Sequence, residues 1–177
     1  FGRPVVCFVD TPAADCSVGA EERGISEAIA RNLMEMSRLR IPIIIVVIGE
    51  GGSGGALGIG VGDKVLMLEH AVYSVIPPEG CAAILFRDPS RKVEAAAALK
   101  LTSQHALQFG VVDEVIPEPL GGAHRNVEAA AKTLKSAILK SIDELLAYAK
   151  DELIERRYQK LRSMGKFIVE EPQKAKK

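Results

Sequence analysis

Apolar and polar positions fall into blocks along this chain, and the blocks follow two periods. Ile43 to Ile48 is an unbroken run of Ile and Val, the pattern of a strand covered on both faces. Val5 to Val9 reads the same way and ends in the turn signal Asp10-Thr11-Pro12. Val65 to Leu68 predicts a third strand, Ala71 to Ile76 a fourth ended by Pro77-Pro78, and Val111 to Ile116 a last one. From about Ala20 to Leu39 the period changes. Ile25, Ala28, Ile29, Leu33, Met36 and Leu39 recur at helical spacing, and Glu21, Glu22, Arg23, Glu27, Arg31 and Glu35 take the other faces. Acids come early and Arg38 and Arg40 late, as the helix dipole favours, and Pro42 stops the helix. Strand, helix, strand in this order predicts a βαβ unit with parallel strands. Further on, Pro78-Glu79-Gly80 opens a small apolar helix through Phe86, and Val93 to Leu99 is an alanine-rich helix. Thr102 caps another helix that Gly110 stops. Val127 to Tyr148 and Asp151 to Met164 have helical period and many Lys and Glu.

These elements predict an α/β domain finished by a helical arm, with no internal repeat. Hydrophobic residues make up 47% and aromatics 5%, so the core is aliphatic. Basic and acidic side chains balance at 23 each, which gives no global pull toward nucleic acid or an anionic membrane. No apolar run has the length of a membrane span. Cys7, Cys16 and Cys81 lack paired spacing and read as reduced thiols of an intracellular protein, Cys7 and Cys81 in the core; no metal-ligating spacing is legible. The first residue is Phe1 and the chain runs straight into a strand, which reads as a fragment or a processed product.

The candidate chemistry follows the central strand. Gly49, Gly51, Gly52, Gly54 and Gly55 come at once after it, and Ala56 to Ile59 resembles the first turns of a buried helix. Backbone N–H groups unhindered by Cβ atoms, at a helix start, make a site for negative charge: phosphate, carboxylate or transition-state oxyanion. Gly49 to Gly54 also matches G-x-G-x-x-G between strand and helix, with Glu69 about 20 residues on, the setting of a dinucleotide fingerprint. No Lys-Ser or Lys-Thr follows, which excludes a P-loop. From the residues alone an oxyanion site, an NAD-binding Rossmann-type oxidoreductase and a close-packed turn without ligand stay open.

Four longer blocks narrow this. GEGGSGGALGIGVGDKV (49–65), YSVIPPEG (73–80), PEPLGGAHR (117–125) and AEERG-x-SEAIARNL (20–33) resemble the carboxyltransferase α subunit of bacterial and plastid acetyl-CoA carboxylase, in the same order along nearly the whole chain. The resemblance implies a crotonase-like (ClpP/crotonase) fold of ββα superhelical turns, with a carboxyltransferase core at 1–125 lacking its N-terminal part, C-terminal helices at 126–170 and a disordered tail at 171–177. It implies transfer of the carboxyl group of carboxybiotin, carried on biotin carboxyl carrier protein, to acetyl-CoA to give malonyl-CoA. A zinc-bearing carboxyltransferase β subunit would complete an α2β2 assembly, in a bacterial cytoplasm or plastid stroma, with no metal in this chain. Carried over by motif, the Gly54 and Gly55 amides are the oxyanion pair, with the Ala56 amide beside them. The same blocks supply the expected substrate-binding set: Gly51, Gly52, Ser53, Ala56, Tyr73, Glu79, Gly80, Gly121, Gly122, His124 and Arg125.

One loop departs from the family pattern D-T-P-G-A-Y-P-G-V-G. Here Ala13, Asp15, Cys16 and Ser17 replace glycine, tyrosine, proline and glycine. The expectation is a loop beside the chemistry in which Ala13 resists positive φ and Asp15 adds charge near an anionic centre, which keeps open a non-catalytic interaction domain. Other side chains carry rival readings. Tyr73 and Ser74 line a cleft or pack. Glu50 and Glu79 orient backbone rather than act as bases. His124 and Arg125 bind a phosphate or a biotin carrier, or stabilise their turn. Cys16 is a tolerated loop thiol. The strand at 65–68 and the helices from 127 onward are expected to leave apolar surface uncovered.

Overall fold

The computed structural model describes residues 1–165, so the tail expected at 171–177 lies outside the described residues. Five strands form one parallel sheet: β1 (Val5–Thr11), β2 (Ile43–Gly52), β3 (Lys64–Leu68), β4 (Val72–Ser74) and β5 (Glu114–Ile116). The order is β1-β2-β3-β5, and β4 pairs with β2. β2 is long enough to take two neighbours end to end on one side. Its first half pairs with β3, Ile44 opposite Lys64, and its last residues pair with β4, Glu50 opposite Val72. Val5 opposite Ile43 begins the β1 pairing, so the expected parallel βαβ unit is present. Because all these pairs are parallel, the C-terminal ends of the strands gather at one edge, where α/β sheets place their ligand crevices.

The continuous apolar runs are buried as their pattern requires. Ile43 to Val47 and Leu66 and Met67 are essentially inaccessible and form the core with Val9, Val112 and Ile116. The long helices α7 (Val127–Leu146) and α8 (Lys150–Ser163) pack onto this same core through Ala137, Leu145 and Leu153. β3 is therefore covered, contrary to expectation. The exposed apolar side chains include Phe8 on the edge strand β1, and Ile84, Leu85 and Val93 on a hairpin of α4 (Pro78–Phe86) and α5 (Lys92–Leu99). That hairpin has its own small core of Cys81, Ala82 and Ala95.

The helix expected over 20–39 is two helices, α1 (Val18–Glu22) and α2 (Ile25–Arg38). Gly24 separates them at φ 83, a left-handed conformation open to glycine at little cost. Thr102 stands at the start of α6 (Ser103–Gln108), but its hydroxyl bonds the His105 ring, not a backbone N–H. Gly110 at φ 70 ends that helix as expected.

Candidate functional site

The glycine segment is not a loop. β2 runs on through Gly49, Gly51 and Gly52, and the short helix α3 (Ser53–Leu57) starts at the next residue. The reversal is made by Ser53, which takes φ 53, a left-handed conformation uncommon for a residue with a Cβ. None of the glycines Gly49, Gly51, Gly52, Gly54 and Gly55 has positive φ. These glycines are required by close approach instead. A Cβ on Gly49 would collide with the Asp10 carboxylate, and one on Gly52 with the Pro12 carbonyl. One on Gly51 would lie 2.6 Å from the Tyr73 ring, and one on Gly55 2.6 Å from the Ala13–Ala14 peptide. Gly54 differs, since a Cβ there meets only Ile29 Cδ1 at 3.9 Å.

The loop after β1 thus lies directly on the start of α3. Asp10 fastens it by accepting the Glu50 N–H at 2.9 Å. Among the described residues, neither the Gly54 nor the Gly55 N–H donates to a protein acceptor. Two donors are therefore unspent at the C-terminal end of the central strand. Two clefts lie beside this segment, one at Gly55 and one at Gly51 and Gly52. One, of about 330 Å³, lies between Ala13, Ala14 and Asp15 of the loop, Ile25, Ile29 and Asn32 of α2, and Gly55 and Gly58. The other, of about 240 Å³, is lined by Pro12, Glu50, Gly51, Gly52, Ser74, Pro77 and Pro78.

The other expected residues divide. Tyr73 packs against Gly51, and burial pushes its phenol above the usual range, so it is neutral at ordinary pH. Glu79 sits in the first turn of α4. It is exposed and ion-paired with Lys92, and its own backbone N–H, then Lys92, hold its carboxyl below the usual range. Gly80 packs on Ile76. Neither Glu79 nor Gly80 lines the clefts, although their neighbours Pro77 and Pro78 do. Gly121 (φ 87) and Gly122 (φ 100) form a separate turn, with Arg125 folded over the first and His124 over the second. That turn lines neither of the two clefts beside the glycine segment.

Glu118 holds the separate turn. It accepts the His70 N–H at 2.7 Å, the His70 Nδ1 at 2.8 Å and the Ala123 N–H at 2.8 Å. Burial alone would raise its carboxyl; these donors outweigh it and hold the group below the usual glutamate range. Asp10, the left-handed turn at Ser53 and the His70–Glu118 pair were missed by reasoning from sequence. Only the Asp-Thr-Pro turn signal hinted at the first.

In the altered loop, Ala13 does not have positive φ, so glycine is not required there. Asp15 and Ser17 form a local cap. The Asp15 carboxylate accepts the Ser17 N–H at 2.9 Å and its hydroxyl at 3.0 Å, and Ser17 Oγ accepts the Ala20 N–H at the start of α1. Cys16 is exposed, Cys81 buried and Cys7 half-buried.

Solved structures share this fold. A Pseudomonas malonate decarboxylase hetero-tetramer in complex with coenzyme A aligns at TM-score 0.72 over 88% of this chain and 61% of that one, at 18% identity. The transcarboxylase 12S structure, solved with methylmalonyl-coenzyme A and methylmalonic acid bound, aligns at TM-score 0.60 over 98% of this chain and 30% of that one, at 21% identity. At such identities the likeness speaks for the fold, which is crotonase-like. Residues 1–165 match the family described as acetyl co-enzyme A carboxylase carboxyltransferase-like, and the chain belongs to that family. It is 58% identical over 168 residues to the acetyl-coenzyme A carboxylase carboxyl transferase subunit alpha of Geobacter sulfurreducens, covering 95% of this chain and 53% of that protein. The protein of the same description from Heliobacterium modesticaldum is 54% identical over 171 residues, covering 97% and 51%. The chain spans about half the length of the curated relatives it matches. The dinucleotide reading finds no support in these relatives.

Proposed function

We propose that this chain is the part of a carboxyltransferase α subunit that stabilises an oxyanion during carboxyl transfer from carboxybiotin to acetyl-CoA. The observation that carries this reading is the pair of unspent N–H groups at Gly54 and Gly55, on a helix start buttressed by the loop after β1. Carboxyl transfer between a ureido nitrogen and a thioester's α-carbon develops negative charge on the ureido oxygen and on the thioester oxygen. Fixed amide donors lower the energy of such charge without reorganising. Gly54 and Gly55 serve as the pair, with the Ala56 amide beside them. Ser53 sets their direction by its left-handed turn, and Gly51, Gly52 and Tyr73 form the wall behind. No nucleophilic side chain is needed, and Cys16 and Glu79 take no part. Glu79 and Gly80 lie outside the clefts, in the first turn of α4 behind Pro77 and Pro78, while Gly121, Gly122, His124 and Arg125 form a rim that contacts a carrier or a second subunit.

The partners follow from the same reading: a β subunit supplying the CoA side, and a biotin carrier protein. The test is reconstitution of the full-length subunit with and without a β subunit, following malonyl-CoA formation from carboxybiotin. Turnover is expected only with the partner. Turnover by the α subunit alone would contradict this division. Saturable micromolar NAD binding in a calorimetric titration would favour an oxidoreductase instead.

A further inference from the structure

Helix α2 walls the cleft at Gly55, yet none of its 14 residues is buried. Its apolar side chains Ile25, Ile29, Leu33 and Met36 are only half-covered. Packing alone therefore holds it weakly. Its C-terminal end has no glycine cap, and Leu39 there is extended. The carbonyls at that end are taken up by a side chain from the far end of the chain.

Arg157 of α8 is 1% exposed and faces Asp63, 3% exposed. Its Nη1 donates to the carbonyls of Met36 at 2.7 Å and Leu39 at 2.9 Å. Its Nη2 donates to the Ile41 carbonyl at 3.0 Å and to Asp63 Oδ2 at 2.8 Å, and Nε donates to Asp63 Oδ1 at 2.9 Å. Every N–H of the guanidinium is used. Asp63 Oδ2 also accepts the Ile43 N–H at 2.7 Å, at the first residue of β2. One buried ion pair thus fixes the end of α2, the connection into β2 and the start of the strand that carries the glycines. A buried arginine is weak evidence for net stability, since its desolvation offsets its attraction; its use is to fix one arrangement.

We propose that Arg157 is a positioning residue for the glycine cleft: α8 sets where α2 lies over Gly55 through this guanidinium, so the C-terminal helix governs the cleft from its outer end. The meaning of that cleft rests on the carboxyl-transfer reading above; the latch itself does not.

The experiment is hydrogen exchange by mass spectrometry on the full-length protein, wild type beside Arg157→Met and Arg157→Lys. The lysine keeps the charge but cannot span the same acceptors in a planar fork. Exchange is expected to rise in peptides covering 12–19 and 25–38 in the methionine variant, and less in the lysine variant, with β2 and β3 still protected. Uniform acceleration across β2, β3 and α2, or no change in α2, would overturn the proposal. If the methionine variant does not fold, the lysine variant is judged by the same two patterns. In the assembled enzyme, Arg157→Lys is expected to raise KM for the biotin substrate about tenfold, with kcat within about twofold of wild type. Equal loss in kcat with KM unchanged would count against positioning. If no carboxyl transfer occurs even in wild type, the functional reading fails while the exchange result still decides the latch.

Discussion

Gly54 and Gly55 are neighbours with opposite tolerance for a side chain. A methyl on Gly54 meets only the end of Ile29, whereas one on Gly55 meets backbone at 2.6 Å. Gly54→Ala should therefore leave the fold intact and gain up to about 1 kcal/mol of helix propensity. Gly55→Ala should lose about 1–3 kcal/mol through overpacking. Thermal melts of the two variants check the contrast, and equal shifts would refute it. Ser141 offers a second test. It is fully buried in α7 and its hydroxyl has no partner. An unmet buried hydroxyl costs about 1–3 kcal/mol, so Ser141→Ala should raise the urea midpoint. The glycine cluster was legible in the sequence but its reason was not. Glycine suggests a turn, yet these residues are strand and helix. What they yield to is Asp10, Tyr73 and Pro12, which sequence spacing does not bring near.

Among the elements, strands built from continuous Ile and Val runs were legible because burial on both faces leaves no other pattern. The break between α1 and α2 was not, since helical spacing continues across Gly24 and only its positive φ marks the corner. The short helix α1 makes the altered loop testable. Its start depends on Ser17 Oγ, which Asp15 orients. Ser17→Ala should cost about 0.5–2 kcal/mol. Restoring the family pattern with Ala13→Gly, Asp15→Tyr, Cys16→Pro and Ser17→Gly should raise kcat by removing a negative charge near the oxyanion, but at a similar cost in stability. Steady-state kinetics beside melts separates the two effects, and an unchanged kcat would detach the loop from the chemistry. The turn at 117–125 has an acid limit. Glu118 is held below the usual glutamate range, so its contribution is present above the unfolded value and fades as pH falls through the lowered folded one. Amide exchange at His70 and Ala123 should stay slow at neutral pH and accelerate below the ordinary glutamate range. Acceleration at neutral pH instead would contradict it.

For the whole molecule, parallel pairing explains why the loop after β1, the glycines after β2, His70 after β3 and the turn after β5 share one edge of the sheet. The alternation of strands and helices foretold this edge. It did not foretell that Arg157 meets Asp63 across 94 positions, because one arginine among the many charges of α8 reads as surface. Nor did sequence foretell that the 117–125 turn and the glycine clefts would be separate places. The central claim concerns two N–H groups, and it is tested by removing one and nothing else. Replacing Gly54 with glycolic acid exchanges its N–H for an ester oxygen and leaves the side-chain space unchanged. In the reconstituted enzyme the ester is expected to lower kcat by about 10²–10³, the loss of one oxyanion donor, while Gly54→Ala, which keeps the N–H, stays near wild type. An ester variant with undiminished kcat would show that the Gly54 amide does not face the reacting oxygen.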